Sequence, residues 1–331
     1  MKKPKATEFK FRKDQLKLFW FFLTERHSIW KKRFVDKKPW PWTDDEVLRD
    51  YKFTNVYRQL DRVTIEWQNR YAHLLAADKK ILNSDIVFYN AMFRLFNWPE
   101  TYDALFFGIK RKKWDFAQAV KILLIRQKED FEQIFTGAYI VTSGGKSCPK
   151  VEVICDALDY IWKRKRQFTN AIRKGRPVLN EDKKVVGYEG ATMEYAVELL
   201  QKIPTVGAFV AYELACDLRF TRVLSHAKDV MSWANPGPGA KRGIHRLLTG
   251  THEKVPDVDY TAAMRQLLTT LPDDVRKSIK HSEWPFEMRE IEHSLCEFDK
   301  MMRVRMGQGK PRSRYRQPSP QTEMPFGDEE E

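Results

Sequence analysis

Residues 199–218 read LLQKIPTVGAFVAYELACDL, and no other segment restricts the fold as much. An apolar helical pattern runs into Ile203-Pro204, a short bend carries Thr205-Val206-Gly207, and a second apolar helix follows at once. Proline cannot continue the first helix, and the residue before it is pushed out of the α region, so covalent geometry places the turn. Gly207 can supply an unusual dihedral and a close backbone approach. The segment reads in two ways: as an αα-corner packing two core helices, or as a bend whose backbone N–H groups face a phosphate.

The flanking sequence is helical as well. Residues 9–34 carry aromatic and basic residues at helical spacing. The segment KKPWPWTDDEVL supplies a break and an N-cap, with Thr43 ahead of Asp44, Asp45 and Glu46 at the positive end of a helix. Residues 44–71, 79–98 and 115–133 read as further amphipathic helices. Strand-like alternation is confined to Ala138–Thr142 and to a hairpin around Val178–Tyr188 with a polar turn. Helices resume at Thr192, so the predicted class is mainly α with at most a short β-hairpin. The catalytic region is expected over 1–306, either whole or as lobes 1–135 and 136–306. From Gly307 onward Gly, Pro, Ser and charge replace apolar periodicity, and 307–331 reads as a disordered tail, basic and then acidic.

Apolar residues make up 42% of the 331 and aromatics 13%, with ten Trp, as in a folded globule. The formal charge of +14 points to a polyanion, most commonly nucleic acid. Cys148, Cys155, Cys216 and Cys296 form no CxxC pair, so neither a structural zinc nor any other metal or cofactor is expected, and free thiols in a reducing cytoplasm are the simplest account. No apolar run is long enough to span a bilayer, and the basic N-terminus is not followed by a signal-peptide core. The expectation is a cytoplasmic protein without a membrane partner.

Four further motifs carry chemistry. Ile140–Ser147, IVTSGGKS, ends like a phosphate-binding loop, but Ile140 stands where that loop needs its first glycine, so a glycine turn is the better reading. The turn Asn235–Gly243 sets the backbone of Gly237 and Gly239 beside Lys241 and Arg242, which suits a phosphate or pyrophosphate as well as a plain basic loop. In FTNVYRQLDR, residues 53–62, helical spacing would place Asn55, Arg58 and Arg62 on one face with Asp61 beside them. Such residues favour directional contacts with bases or phosphates, and Arg26 and His27 are candidates to join them. Last, Arg303, Arg305, Lys310, Arg312, Arg314 and Arg316 form an arm for tracking a nucleic-acid backbone, with Tyr315 available to stack.

The bend at 199–218 resembles a helix-hairpin-helix, with Thr205, Val206 and Gly207 as its DNA contacts. In DNA glycosylases built on this hairpin an essential aspartate lies roughly twenty residues beyond the last glycine, and Asp229 lies 22 residues beyond Gly207. Three departures stand out: Thr205 where such hairpins usually carry Gly, Val-Met rather than Thr-His after Asp229, and Phe209 in place of a Schiff-base lysine. The last makes a lyase of that type unexpected.

Together with PWPWTDDEVL, FTNVYRQLDR, TGAYIVTSGG, KDVMSWANPGPGAKRGIHRL and EIEHSLCEFDKMMRVRMGQGKPRSRY, the hairpin resembles the α-glutamyl/putrescinyl-thymine pyrophosphorylases, or amino acid:DNA transferases, of phages that hypermodify thymine. A related helical domain accompanies the hydroxymethyluracil-DNA kinases, which also need a P-loop kinase domain; none is read in this sequence, so kinase activity is not expected. The resemblance implies a DNA-glycosylase-like helical fold with a helix-hairpin-helix at 194–218. It also implies a double-stranded DNA substrate carrying 5-pyrophosphoryloxymethyl-uracil, from which an amino acid or polyamine displaces pyrophosphate. In that chemistry Asp229 could take the amine's proton. Asn55 and Arg58 could hold the flipped base, and Arg62, Arg219 and the Asn235–Gly243 turn the leaving group. A monofunctional DNA glycosylase and a non-catalytic DNA-binding protein are the alternatives.

Overall fold

The computed structural model describes residues 8–110, 113–128, 132–136, 149–309 and 314–315. Among these, helices dominate: α1 (Lys13–Trp30), α2 (Glu46–Asp50), α3 (Arg62–Ala77), α4 (Asn83–Phe96), α5 (Pro99–Gly108), α6 (Phe116–Lys128), α7 (Lys150–Lys174), α8 (Met193–Leu200), α9 (Ala208–Leu218), α10 (Pro238–Thr249), α11 (Tyr260–Thr269), α12 (Asp273–Ser278) and α13 (Met288–Arg305). A two-stranded antiparallel sheet, β1 (Pro177–Leu179) with β2 (Val185–Tyr188), completes them where the hairpin was expected. The fold is mainly α.

The chain divides into two compact units, residues 1–58 with 236–331 and residues 59–235, rather than near residue 135. In the second unit α4 is mostly apolar and is buried around its whole circumference from Ser84 to Phe96, so it forms the axis on which α3, α5, α7 and α9 pack. Its one buried cation is satisfied in place. Arg94 donates from Nε and Nη2 to the two oxygens of Asp217 on α9, both at 2.6 Å, and from Nη1 to Asn97 Oδ1 at 2.8 Å. Trp67 on α3 donates its indole N–H to the carbonyl of Asp217.

In the first unit α13 takes the axial place. Phe19 of α1 packs edge-on against Phe298, their ring centres 5.4 Å apart, and α10 lies along α13. The close approach of α10 requires glycine. A Cβ on Gly239 would lie 2.3 Å from Cys296 Sγ, and one on Gly243 would lie 2.5 Å from the carbonyl oxygen of Leu295.

The helix expected over 44–71 is broken. Asp45, not Thr43, caps α2, accepting from Leu48 N at 2.9 Å, and α2 ends after Asp50. Tyr51 pairs with Arg314 in an isolated antiparallel bridge, and Tyr315 N donates to the carbonyl of Asp50 at 2.8 Å. Tertiary partners thus hold 51–57 extended against its helical pattern. The Tyr315 ring packs edge-on against Trp42 with centres 5.8 Å apart, so within the expected tail this tyrosine and Arg314 are anchored. The strand-like Ala138–Thr142, the Ile140–Ser147 turn, Cys148, Lys310, Arg312 and Arg316 lie outside the described residues.

Candidate functional site

The site is built on α13, which carries charge on a helix that is buried almost throughout. Buried carboxylates are tolerated when paired or hydrogen-bonded, and most of these are. Asp299 is fully buried and takes Arg242 and Arg246, each through Nε at 2.8 Å, with Arg303 Nε at 3.4 Å. Glu290 closes a capping box with Glu287 and accepts from Arg289 Nε at 2.8 Å. Glu297 accepts from Lys300 Nζ at 3.0 Å and from the backbone N–H of Thr54 at 3.1 Å.

Glu292 differs. Its Oε1 accepts from the N–H of Gly237, the N-cap residue of α10, at 3.0 Å. Burial pushes its carboxyl above the ordinary glutamate range, opposed by the Gly237 N–H and by the charges of His293 and Arg58. A carboxyl raised this way holds or takes a proton nearer neutral pH than a solvated one. One helical turn on, burial pushes the Cys296 thiol up to about 12, which leaves it a packing group and not a nucleophile.

The extended segment 53–58 belongs to the same unit. Arg26 on α1 donates to the carbonyls of Phe53 and Thr54 and to Asn55 Oδ1, at 3.0, 2.9 and 2.7 Å. With Glu297 holding Thr54 N, both sides of this segment are fixed before the chain turns into a 3₁₀ turn that begins at Arg58. Arg58 is 3% exposed and is one of the charges acting on Glu292. His27, also buried, stacks on Trp30 and is pushed down to about 4 by burial first and then by Lys31, His281 and Arg26. It is neutral in the folded protein at pH 7.

The first unit therefore sets Gly237 and the charge of Arg58 on Glu292, while α13 also holds, through Glu297, the extended segment that carries Asn55. The shared helical face proposed for Asn55, Arg58 and Arg62 is absent: Asn55 is in extended chain, Arg58 in a 3₁₀ turn, and Arg62 opens α3 in the other unit. Asp61 precedes α3 there without a side-chain cap. The glycines of the 235–243 turn have a packing role, since Gly239 and Gly243 let α10 onto α13. Lys241 is exposed, with Nζ 5.2 Å from the centre of the Tyr260 ring, whereas Arg242 is paired with Asp299. Two arginines of the expected arm are likewise engaged, Arg303 with Asp299 and Arg305 with Asp45.

In the second unit α8 and α9 are joined through Thr205, Val206 and Gly207. Here Thr205, not Gly207, adopts the left-handed conformation, with φ of 68° against −77°. A β-branched residue is strained there. Gly207 is exposed with open space where a Cβ would stand, and no side chain caps α9. Asp229 reaches back to the start of α8, where its two oxygens accept from Met193 N at 2.6 Å and Glu194 N at 3.0 Å. Together with Thr192, which caps Tyr195 N, it fixes that helix terminus. Arg219 donates to the carbonyl of Ser225 at 2.9 Å. Among the described residues no group of three or more His, Cys, Asp or Glu is arranged to hold a metal ion, and no helix is long and apolar enough to cross a membrane.

The chain matches the family model described as "5-hmdU DNA kinase, helical domain" over residues 13–311, which takes in both units. The chain belongs to this family. Among its relatives is the 5-hmdU DNA kinase of Bacillus phage SP10, 30% identical over 246 residues. That alignment covers 69% of this chain but 35% of the relative, so the chain corresponds to about a third of the relative's length. No solved structure matches the chain. The family's span includes α13, whose Glu292, Glu297 and Asp299 the motif reading passed over. The signal was present in EIEHSLCEFDK, where acids recur at core-facing positions of an otherwise apolar helical pattern.

Proposed function

We propose that the chain is a DNA base-modifying transferase acting on thymine-derived bases. In this reading an amine, from an amino acid or a polyamine, displaces pyrophosphate from the exocyclic methylene of 5-pyrophosphoryloxymethyl-uracil in double-stranded DNA. The nitrogen lone pair forms the new C–N bond, the C–O bond breaks with its electron pair on the departing pyrophosphate, and the amine's surplus proton passes to a carboxylate. The observation that carries the reading is Glu292, a buried carboxyl with a raised pKa that feels the Arg58 charge and accepts from the N-cap residue of α10. A carboxylate of raised basicity suits taking the proton that the amine nitrogen sheds as its lone pair forms the C–N bond better than a solvated one.

Asp229, the carboxylate suggested by spacing from the bend, has both oxygens committed to backbone N–H groups, so we assign the proton to Glu292 and leave Asp229 to secure α8. Arg58 would face the leaving group's charge, and Asn55, held by Arg26, would hydrogen-bond the base taken out of the stack. The bend at Thr205–Gly207, with α9 uncapped by any side chain, would offer its N–H groups to a DNA phosphate as a helix-hairpin-helix does. Arg62, Arg219 and Lys241 would contribute positive charge toward the DNA.

The name of the phage relative favours a second reading, in which the same helical region presents 5-hydroxymethyl-uracil in DNA for phosphorylation. One experiment separates the two. The full chain is incubated with DNA carrying the pyrophosphorylated base and an amine mixture, and in parallel with DNA carrying the hydroxymethyl base and ATP. Nucleoside digests are then read by mass spectrometry. An amine adduct with released pyrophosphate supports transfer, and a phosphorylated nucleoside from the second arm supports the kinase reading. A free base with an abasic site indicates a glycosylase, and retention without chemistry a DNA-binding role.

A further inference from the structure

The corner where α5 meets α6 carries a surface that none of these roles uses. Phe107, near the end of α5, is 79% exposed, although a phenylalanine ring left in water forgoes its hydrophobic stabilisation. The ring is firmly backed. It stands edge-on to Phe106 at 5.2 Å, Phe106 stacks on Tyr102 at 5.6 Å and 11°, and Tyr102 meets Phe93 edge-on at 5.7 Å. The following Gly108 lies against the Cδ1 end of Ile122 on α6. Phe107 therefore sits on a rigid aromatic stack, positioned without paying ordering entropy when something lands on it.

A narrow cleft lies next to Phe106, with Phe88, Trp114 and Trp162 also in its wall and Lys110 and Lys113 among its lining. Both lysines are exposed. Trp114 is buried, yet among the described residues its indole N–H has no acceptor. A buried donor without a partner is costly and marks a place where a ligand's acceptor would be welcome. Exposed aromatic face, flanking cations and one waiting donor match the surfaces of an unstacked base: a π-face, phosphates on either side, and carbonyl oxygens at the edge. The chain's net charge of +14 agrees with a polyanionic partner.

We propose that this corner of the second unit is a nucleobase-stacking site for DNA that presents an unpaired or unstacked base. Phe107 takes the base face, Lys110 and Lys113 the neighbouring phosphates, and Trp114 Nε1 a base carbonyl. The site does not depend on the transfer chemistry proposed above, because its readout is binding alone.

The test uses the full chain and two fluorescein-labelled strands, an oligothymidylate and the same length with abasic sites replacing its central bases. The wild-type chain is expected to bind the thymidylate strand about tenfold more tightly, the lower range for one stacked base. Phe107→Ala should bring thymidylate binding down to the abasic level without changing abasic binding or Tm, and Phe107→Trp should keep the preference. Replacing Lys110 and Lys113 together by Gln should weaken both strands and lower the salt slope by about 1.4, at about 0.7 per contact. The proposal is overturned if the wild type shows no preference, or if Phe107→Ala binds both strands as the wild type does or weakens both equally.

Discussion

Two buried carboxylates set the halves of this molecule apart. Asp217, in the second unit, meets the guanidinium of Arg94 through two 2.6 Å bonds, with Glu213 3.8 Å from the same group. Glu292, in the first, has the N–H of Gly237 and the more distant charges of Arg58 and His293, and burial raises its pKa. A carboxylate locked to an arginine serves to join α4 to α9. The one held by a backbone N–H, its pKa raised by burial, is the group we propose as proton acceptor. In the second unit α8 is closed by Thr192 and Asp229, whereas in the first α10 begins at Gly237 without a side-chain cap.

The contrast can be broken at four places. Glu292→Gln should slow transfer about 10²–10⁴-fold, the usual contribution of a positioned acid or base, with little loss of Tm. Because the folded carboxyl has the higher pKa, its contribution to stability is complete below the ordinary glutamate range and is lost as pH rises through the raised value. Thermal melts of the wild type should therefore fall in that window, and those of Glu292→Gln should not. Next in size, Arg94→Met should cost about 3–5 kcal/mol in denaturant unfolding, because it strands Asp217 in the core. Equal effects on stability from these two variants would erase the distinction between the units. Gly243→Ala should cost about 1–3 kcal/mol by forcing α10 off the Leu295 carbonyl, and should also depress turnover by moving Gly237 away from Glu292. Asp229→Asn should cost only about 1 kcal/mol, as for a lost cap, and leave the transfer rate within a few-fold of wild type. A rate lost with Asp229→Asn and kept with Glu292→Gln would move the chemistry into the second unit.

Helical class, the β-hairpin and the paired helices around the 201–207 bend were legible because periodicity and proline are local signals. What stayed hidden was set by distant partners. The pattern of 44–71 favours helix, yet Arg26 and Glu297, far away in sequence, hold Phe53–Asn55 extended, and no local rule announces them. The glycines of GPGAKRG looked like a phosphate turn because glycine serves close approach of any kind, and here the approaching group is α13. Asp229 drew notice by its spacing from the bend, but spacing says nothing of the N–H groups that take up its oxygens. At Thr205 the sequence departed from the expected glycine, and the backbone nevertheless adopts the left-handed conformation a glycine would favour.

The first unit is assembled from both ends of the sequence, with all of the second unit between them. A chain emerging from the ribosome therefore releases α1 long before α13 exists. Until α13 is made, the side of α1 that Phe298 covers, around Phe19, has no native partner. The second unit is complete once residue 235 is clear, and domains fold as units in the order of synthesis. The helix that carries Glu292 is thus the last keystone of the first unit to arrive, and the surroundings of Arg58 and Gly237 are assembled only once α13 has been made.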